Sequence, residues 1–249
     1  MVGYEWNRLE LRVPQLPAEL VGARLLHLTD LHLRHRWRKE LDDLVARTQS
    51  DPPDVVLVTG DFVDDKRDHR PALPLVERLV KSIGSRHGVY CVVGNHDGDL
   101  LVPRLIGWGV RVIVHQRVEL LLRDRPVELI GLPGPDRVDL DERFVALQPP
   151  PRAGVPRVVL CHYPDVIRNA AALRADLYLA GHTHGGQMCL PNGYPLLTHD
   201  KLPNRMASGA HDVNGTCLLV GRGLGYTNLP IRLFCPAEVV EVSLGNAEV

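Results

Sequence analysis

The 249-residue sequence is poor in cysteine and lacks the cysteine spacings that hold a structural metal or staple a small fold. Its five cysteines are odd in number, and no two of them form a C-x-x-C pair. This argues against a disulfide scaffold and a zinc ribbon, and it favours reduced thiols in a cytoplasmic protein. The five are Cys91, Cys161, Cys189, Cys217 and Cys235.

Long apolar runs are also missing. No stretch approaches the roughly 18 to 20 apolar residues that a membrane helix needs. Residues 1–17 lack the basic-then-apolar layout of a secretory signal. We therefore expect a cytoplasmic protein. Peripheral contact with a membrane stays open, because the apolar, proline-containing residues 190–197 suit either a lipid-facing lip or packing against a sheet.

A surplus of basic charge is absent as well. There are 29 Lys and Arg against 30 Asp and Glu, which gives a formal net charge of -1. Because general nucleic-acid binders are usually basic, this balance disfavours a nucleic-acid partner. It does not exclude one, since a local basic patch can bind nucleic acid even when the total charge is near zero. No Walker A sequence is present. A composition that is 45% hydrophobic and 24% charged is that of an ordinary globular protein, and we treat residues 1–249 as a single domain.

What the sequence does contain is a repeated pairing of a short apolar run with polar residues at its end. The blocks at residues 24–33, 54–61, 88–97, 157–164 and 176–184 each begin as a strand buried on both faces. Segments with helical periodicity lie at residues 40–48, 71–84, 99–109 and 164–175. The alternation predicts an α/β fold with two sheets and helices outside them.

Shorter apolar segments predict further strands. They lie at residues 111–116, 118–124, 125–133, 216–223, 231–235 and 238–244, with a hairpin turn at residues 123–124. The proline-rich residues 133–154 predict an irregular surface loop.

Each of the five blocks ends in side chains that can bind a metal. Because ligands bind beyond the carboxyl ends of strands in open α/β sheets, we expect these side chains to converge on one edge. Residues at i and i+2 after a strand point the same way, so the D-x-H and H-x-H pairs can each grip one site. The side chains are those of Asp30, His32, Asp61, Asn95, His96, His162, His182 and His184.

The chemistry of this donor set indicates divalent metal ions. Carboxylate, imidazole and amide oxygen suit Mn²⁺, Zn²⁺ or Fe, and the absence of thiolates excludes a structural zinc cage. The donors exceed what one ion needs, so we expect two ions that share a carboxylate.

The ordered blocks resemble the signature of the calcineurin-like metallophosphoesterases. The matching residues are Asp30-x-His32, Gly60-Asp61, Gly94-Asn95-His96-Asp97, His162 and Gly181-His182-Thr183-His184. The resemblance implies a four-layer α/β/β/α sandwich of two mixed sheets and two divalent ions, with Mn²⁺ favoured over Zn²⁺ or Fe.

The resemblance also implies roles. Asp30, His32 and His184 would hold the first ion, Asn95, His162 and His182 the second, and Asp61 would bridge them. His96 would be the catalytic group that assists the leaving oxygen, and Asp97 would orient His96.

A finer resemblance joins Gly181-HTHGGQ to the segment that begins at Gly223-LGYTNLP. It is similar to a bacterial branch that contains cell-wall or membrane-associated phosphodiesterases and enzymes that cleave UDP-diacylglucosamine. This implies a small-molecule or lipid-linked phosphodiester or pyrophosphate as substrate. The cationic residues 34–39 directly follow the first ligand pair, and we expect Arg34, His35 and Arg36 to contact the substrate phosphate.

The resulting hypothesis is a metallophosphoesterase in which a hydroxide that bridges two metal ions attacks a phosphodiester or pyrophosphate. A phosphomonoesterase and a nuclease are alternatives, although a nuclease would need a basic groove. A non-catalytic metal-binding scaffold is the alternative from another class. A scaffold should have lost ligands or His96, and this sequence retains them all.

Overall fold

The computed structural model describes residues 3–98, 100–134, 138–198, 200–227 and 229–247. Twelve strands in this part of the chain form two six-stranded sheets, and each sheet mixes parallel and antiparallel neighbours. The expected pair of mixed sheets is therefore confirmed.

The strands of the first sheet are β1 (Tyr4–Val13), β2 (Arg24–Leu28), β3 (Val55–Thr59), β4 (Val89–Val92), β5 (Arg111–Val112) and β12 (Ala237–Asn246). Their order in the sheet is β1-β12-β2-β3-β4-β5. β2, β3, β4 and β5 run parallel, whereas β12 is antiparallel to β2 and parallel to β1.

The strands of the second sheet are β6 (Gln116–Leu122), β7 (Arg125–Leu132), β8 (Arg157–Cys161), β9 (Leu177–Ala180), β10 (Gly209–Val213) and β11 (Thr216–Val220). Their order in the sheet is β10-β11-β9-β8-β7-β6. β7, β8, β9 and β11 are parallel, and β6 and β10 form the two edges as antiparallel hairpin partners of β7 and β11.

Helices cover the outer face of each sheet. Against the first lie α1 (Lys39–Ser50), α2 (Leu73–Ser82) and α3 (Leu101–Gly107), and against the second lie α4 (Val138–Ala146) and α5 (Ile167–Ala170). Short 3-10 turns are found at Ala18–Leu20, Pro164–Val166, Ala171–Leu173, His184–Gly186 and Asn204–Met206.

Alternation along the strands divides the core into three layers. Leu57 of β3 and Leu160 of β8 meet between the sheets, whereas their neighbours Val58 and Val159 face the helices. Successive side chains of a strand point to opposite faces, so strands that are apolar throughout must be covered on both sides. This confirms the four-layer α/β/β/α sandwich.

Residues 231–235 do not form the strand that their apolar character predicts. Phe234 has a φ of 50°, a left-handed conformation that no strand residue adopts, and Leu233 makes a single bridge to Met188. The side chains of Ile231, Leu233 and Phe234 are exposed rather than packed in the core.

Residues 133–154 are not wholly irregular either. The prolines stand at the two ends of the segment, and α4 forms between them because Val145 can pack against α5 and β8. Residues 135–137 of this predicted loop, and Asp99 at the start of the predicted third helix, lie outside the described residues.

Candidate metal centre

The carboxyl ends of β2, β3 and β4 meet those of β8 and β9 at one edge of the two sheets. Five side chains expected to bind metal lie there on residues with positive φ. These are Asp30 (48°), His32 (42°), Asp61 (54°), His182 (68°) and His184 (53°). Left-handed conformations cost non-glycine residues about 1–2 kcal/mol each. Their concentration at one edge marks a functional site.

Two glycines allow the strand ends to approach one another. A Cβ at Gly181 would overlap Thr29 Oγ1 and Asp30 Oδ2, and a Cβ at Gly94 would overlap Asp61 Oδ1. Only glycine fits at these positions, because the hydroxyl of Thr29 and the carboxylates of Asp30 and Asp61 occupy the space that a side chain would fill.

The first group of donors contains Asp30, His32 and His184, all buried. His32 Nε2 lies 3.1 Å from His184 Nε2, and His184 Nε2 lies 3.4 Å from Asp30 Oδ1. Thr29 fixes the carboxylate of Asp30, since its hydroxyl donates to Asp30 Oδ2 at 2.8 Å.

The second group contains Asn95, His162 and His182. Asn95 Oδ1 is 3.1 Å from His162 Nε2 and 3.0 Å from His182 Nδ1, and the two nitrogens are 3.3 Å apart. The other ring nitrogen of His162, Nδ1, donates to the carbonyl oxygen of Thr59 at 2.7 Å. This bond leaves Nε2 of a neutral His162 unprotonated and available as a ligand.

Asp61 stands between the two groups. Its Oδ2 is 3.3 Å from His162 Nε2 and 3.5 Å from His32 Nε2. The backbone N–H of His96 donates to the other oxygen, Oδ1, at 2.8 Å, which fixes the orientation of the carboxylate.

These separations fit metal ions. Donors bonded to one ion at about 2.1 Å lie about 3.0 to 3.4 Å apart, depending on the coordination angle. The buried nitrogens of His32 and His184 face each other at such a distance. Two imidazole nitrogens at this separation share at most one proton, whereas both can donate electron pairs to one cation. The residues present therefore fit divalent metal ions.

The charges of the site also indicate that it binds cations. Burial alone would raise the pKa of Asp61. The charge of His162 and its hydrogen bond to Asp61 have the larger effect and lower this pKa to about 2. Burial alone would lower the pKa of His162, yet the carboxylates of Asp61 and Asp30 raise it to about 9. Burial lowers the pKa of His184 to about 3, so that ring is neutral. The buried carboxylates thus require cations, which are protons on imidazole when metal is absent.

His96 lies beside the two groups rather than in either. Its Nδ1 lies 2.5 Å from the carbonyl oxygen of Asp64, which can only accept, so Nδ1 carries a proton and Nε2 is the reactive nitrogen. Its ring meets that of His32 edge-on, with centroids 4.7 Å apart. Burial lowers the pKa of His96, which makes its imidazolium a stronger acid.

The predicted contact between Asp97 and His96 is wrong. The carboxylate of Asp97 accepts from the backbone N–H groups of Phe62 (2.8 Å), Val63 (3.3 Å) and Gly94 (3.0 Å). Asp97 therefore ties the loop after β3 to the loop after β4. It positions Asp61 and Asn95 through the backbone, and the carbonyl of Asp64 orients His96 instead.

Two further residues of the site, Asp64 and Arg232, are not predicted from the sequence. Asp64 Oδ1 is 3.2 Å from His32 Nδ1, and its Oδ2 is 2.9 Å from Arg34 Nε. Arg232 donates to the carbonyl oxygens of His184 (3.2 Å), Arg222 (2.6 Å) and Gly225 (2.6 Å). These bonds join the H-x-H turn to the loop after β11. The position of Asp64, three residues after Asp61, is a weak sequence signal for its role. No sequence signal points to Arg232.

The predicted substrate contacts lie at the mouth of the site. A cavity of about 370 Å³ is lined by His32, Arg34, His35, Arg36 and Tyr226, among others. Arg34 lies 4.8 Å from the ring centroid of Tyr226, and His35 and Arg36 are exposed.

Arg38 has a different role from its neighbours. It donates to the carbonyl oxygens of Leu31 at 3.1 Å and Leu224 at 3.0 Å, so its guanidinium joins two loops.

Several proteins with similar sequences are named as metallophosphoesterases or phosphodiesterases. Residues 23–186 match the calcineurin-like phosphoesterase family. The chain is 30% identical over 225 residues to the uncharacterized metallophosphoesterase YkoQ of Bacillus subtilis (strain 168), covering 86% of this chain and 81% of that protein. It is 28% identical over 233 residues to the phosphodiesterase YaeI of Escherichia coli (strain K12), covering 89% and 82%.

A third relative is a transmembrane protein with a metallophosphoesterase domain from Danio rerio. It is 30% identical over 263 residues, which cover 96% of this chain and 57% of that protein. Among the residues described for the present chain, no helix combines the length and hydropathy needed to cross a membrane.

The match over residues 23–186, together with the convergence of the donor groups, settles the class. The chain belongs to the calcineurin-like phosphoesterase family. Its site is that of a metal-dependent hydrolase of phosphoesters.

Proposed function

We propose that this protein is a dinuclear metallophosphoesterase that cleaves a phosphodiester or pyrophosphate bond. The observation that carries the proposal is the position of Asp61 Oδ2, within 3.5 Å of a histidine from each donor group. A carboxylate oxygen that faces both groups is suited to bridge two ions.

Each group would hold one ion, and the donor chemistry favours Mn²⁺, with Zn²⁺ or Fe as alternatives. Asp30, His32 and His184 would bind the first ion, and Asn95, His162 and His182 the second. When bound, the pair would acidify a water to a nucleophile at neutral pH and neutralise charge on the phosphoryl oxygens. Because Asn95 is neutral and Asp30 is anionic, the two sites would differ in affinity.

His96 is suited to act on the leaving group. Nδ1 stays protonated on the Asp64 carbonyl, so Nε2 exchanges a proton with solvent and delivers it to the departing oxygen. A general acid of this kind contributes about 10² to 10⁴ in rate. Arg34, His35 and Arg36 would hold an anionic part of the substrate at the mouth of the site.

Preference for a diester over a monoester rests on resemblance. YaeI is named a phosphodiesterase, and the GHTHGGQ segment is similar to a branch with diester and pyrophosphate substrates. We favour a small-molecule or lipid-linked substrate over nucleic acid, because the chain carries no net basic charge.

Hydrolysis of an aryl phosphodiester and of its monoester, by metal-stripped protein with and without added Mn²⁺, tests the proposal. We expect Mn²⁺-dependent turnover that is faster with the diester. Faster turnover of the monoester would assign a phosphomonoesterase. No turnover of either substrate by protein with bound metal would contradict the proposed function.

A further inference from the structure

Exposed hydrophobic side chains are concentrated beside the metal centre. Fourteen large hydrophobic residues are strongly exposed in the described part of the chain, and nine of them lie in residues 186–198 and 229–235. We call these two segments the apolar rim. Leu197 is 64% exposed, Leu229 58%, and both Ile231 and Phe234 55%. Monomeric soluble proteins rarely expose so much apolar surface in one place without using it.

The two segments of the rim form one surface. Leu233 N–H donates to the carbonyl of Gln187 at 3.0 Å, and Cys189 N–H donates to the carbonyl of Leu233 at 2.9 Å. The side chain of Gln187 donates to the carbonyl of Leu229 at 3.1 Å. These bonds hold both segments in fixed positions while their apolar side chains face outward.

The rim carries almost no charge. Residues 186–198 contain no Asp, Glu, Lys or Arg, and residues 229–235 contain only Arg232. The guanidinium of Arg232 is turned inward onto backbone carbonyls, including that of His184. Nothing charged within the rim therefore opposes its transfer into a hydrocarbon phase.

The rim continues into the metal centre. A cavity of about 260 Å³ is lined by Met188, Leu196, Leu197 and Leu229 of the rim and also by His184 of the first donor group. An apolar chain in this cavity would lie against His184, one of the three residues of the first donor group. This continuity between the rim and the first donor group argues for the apolar part of a substrate.

The surroundings of the rim suit an anionic lipid. Thr227 lines the apolar cavity, and the preceding residue, Tyr226, lines the cationic one that contains Arg34, His35 and Arg36. Basic side chains next to an apolar surface match the phosphates and acyl chains of a bilayer.

We propose that the apolar rim docks on an anionic bilayer and that the cavity behind it takes an acyl chain of a lipid whose phosphoester reaches the metal centre. This inference rests on the proposed function, because it names the substrate class of the same site.

Flotation with vesicles of equal parts phosphatidylcholine and phosphatidylglycerol tests the docking surface. Wild-type protein should float with the vesicles. The double variant Ile231→Asn/Phe234→Asn should bind about ten-fold more weakly or worse, because two side chains that enter the bilayer become polar. The matched control, Ile106→Asn/Leu147→Asn, changes two exposed side chains outside the rim and should float like wild type. Metal content and thermal unfolding show whether each variant is folded.

Wild-type protein that does not float, or variants that bind equally, would overturn the inference. A dimer seen by light scattering that only the rim variant loses would overturn it too, by assigning the rim to a second copy of the chain.

The cavity is tested with soluble alkyl phosphates, by calorimetry with metal-loaded protein. Affinity should rise about three- to four-fold per methylene between methyl and butyl phosphate. Affinity that does not change with chain length would overturn the acyl assignment. If vesicles bind but the aryl diester is not hydrolysed, the proposed function fails and the docking surface stands.

Discussion

The backbone N–H of His96 holds Asp61 Oδ1 at 2.8 Å, and this bond turns Asp61 Oδ2 toward the histidines of both donor groups. The residue expected to assist the leaving group therefore also orients, through its backbone, the carboxylate expected to join the two ions. A side-chain substitution at His96 leaves that backbone bond in place, so the two roles can be tested separately.

Replacement of Asp61 by Ala should lower bound metal from two ions per chain to one or fewer. The substitution removes the carboxylate that faces both donor groups. Each group then keeps only three donors and lacks the negative charge that Asp61 supplied. Metal analysis after gel filtration measures the stoichiometry. Two ions still bound to Asp61→Ala would refute the bridging role.

His96→Ala should lower kcat about 10²- to 10⁴-fold while metal content stays near that of wild type. The loss should be smaller for aryl esters with better leaving groups, since these need less help from a general acid. Loss of metal from the variant would instead identify His96 as a ligand.

Gly94→Ala should reduce metal binding, although the added methyl group lies on a residue with no ligand atom. Its Cβ would overlap Asp61 Oδ1 and displace the carboxylate. Gly107→Ala is the matched control, because nothing lies within 4 Å of a Cβ there. Wild-type metal content in both variants would show that the packing of Gly94 against Asp61 has no bearing on the site.

Metal binding should release protons at pH 7. In the metal-free protein the pKa values of His32 and His162 are raised to about 9, so both rings are protonated below that pH and must lose their protons to bind metal. Affinity should therefore rise with pH, by about ten-fold per pH unit for each proton displaced. Calorimetry in buffers of different ionisation enthalpy counts the protons, and a count of zero would contradict the charge state.

The basic segment after the first ligand pair should divide into two roles. His35→Ala/Arg36→Ala should raise KM for an anionic substrate about two- to five-fold, the effect typical of exposed charges. Arg38→Ala should instead lower the free energy of unfolding by about 1–3 kcal/mol, since two loop carbonyls lose their donor. Steady-state kinetics and urea unfolding distinguish the two. A raised KM with an unchanged free energy of unfolding in Arg38→Ala would contradict this account, because it would assign Arg38 to substrate binding.

The sequence predicts the ligand-bearing edge because its signals are local. Each ligand follows a buried strand within a few residues, and parallel strands bring their carboxyl ends together. The pair Asp30 and His32, for example, directly follows β2 in the sequence.

The residues that hold the expected ligands in place, Asp64 and Arg232, could not be predicted from such local signals. Asp64 and Arg232 act on His32 and His184 across loops, through contacts that depend on the packing of the two sheets. The same limit explains residues 231–235, where an apolar pattern predicts a strand, whereas the structure exposes the side chains of Ile231, Leu233 and Phe234.

The central claim is a pair of metal ions that share Asp61. The most direct measurement is an anomalous-difference map from a crystal of the Mn²⁺-loaded protein. We predict two peaks about 3.5 to 4 Å apart, one in each donor group, with Asp61 Oδ2 between them. A single peak in protein saturated with Mn²⁺, or two peaks of which only one contacts Asp61, would contradict the claim.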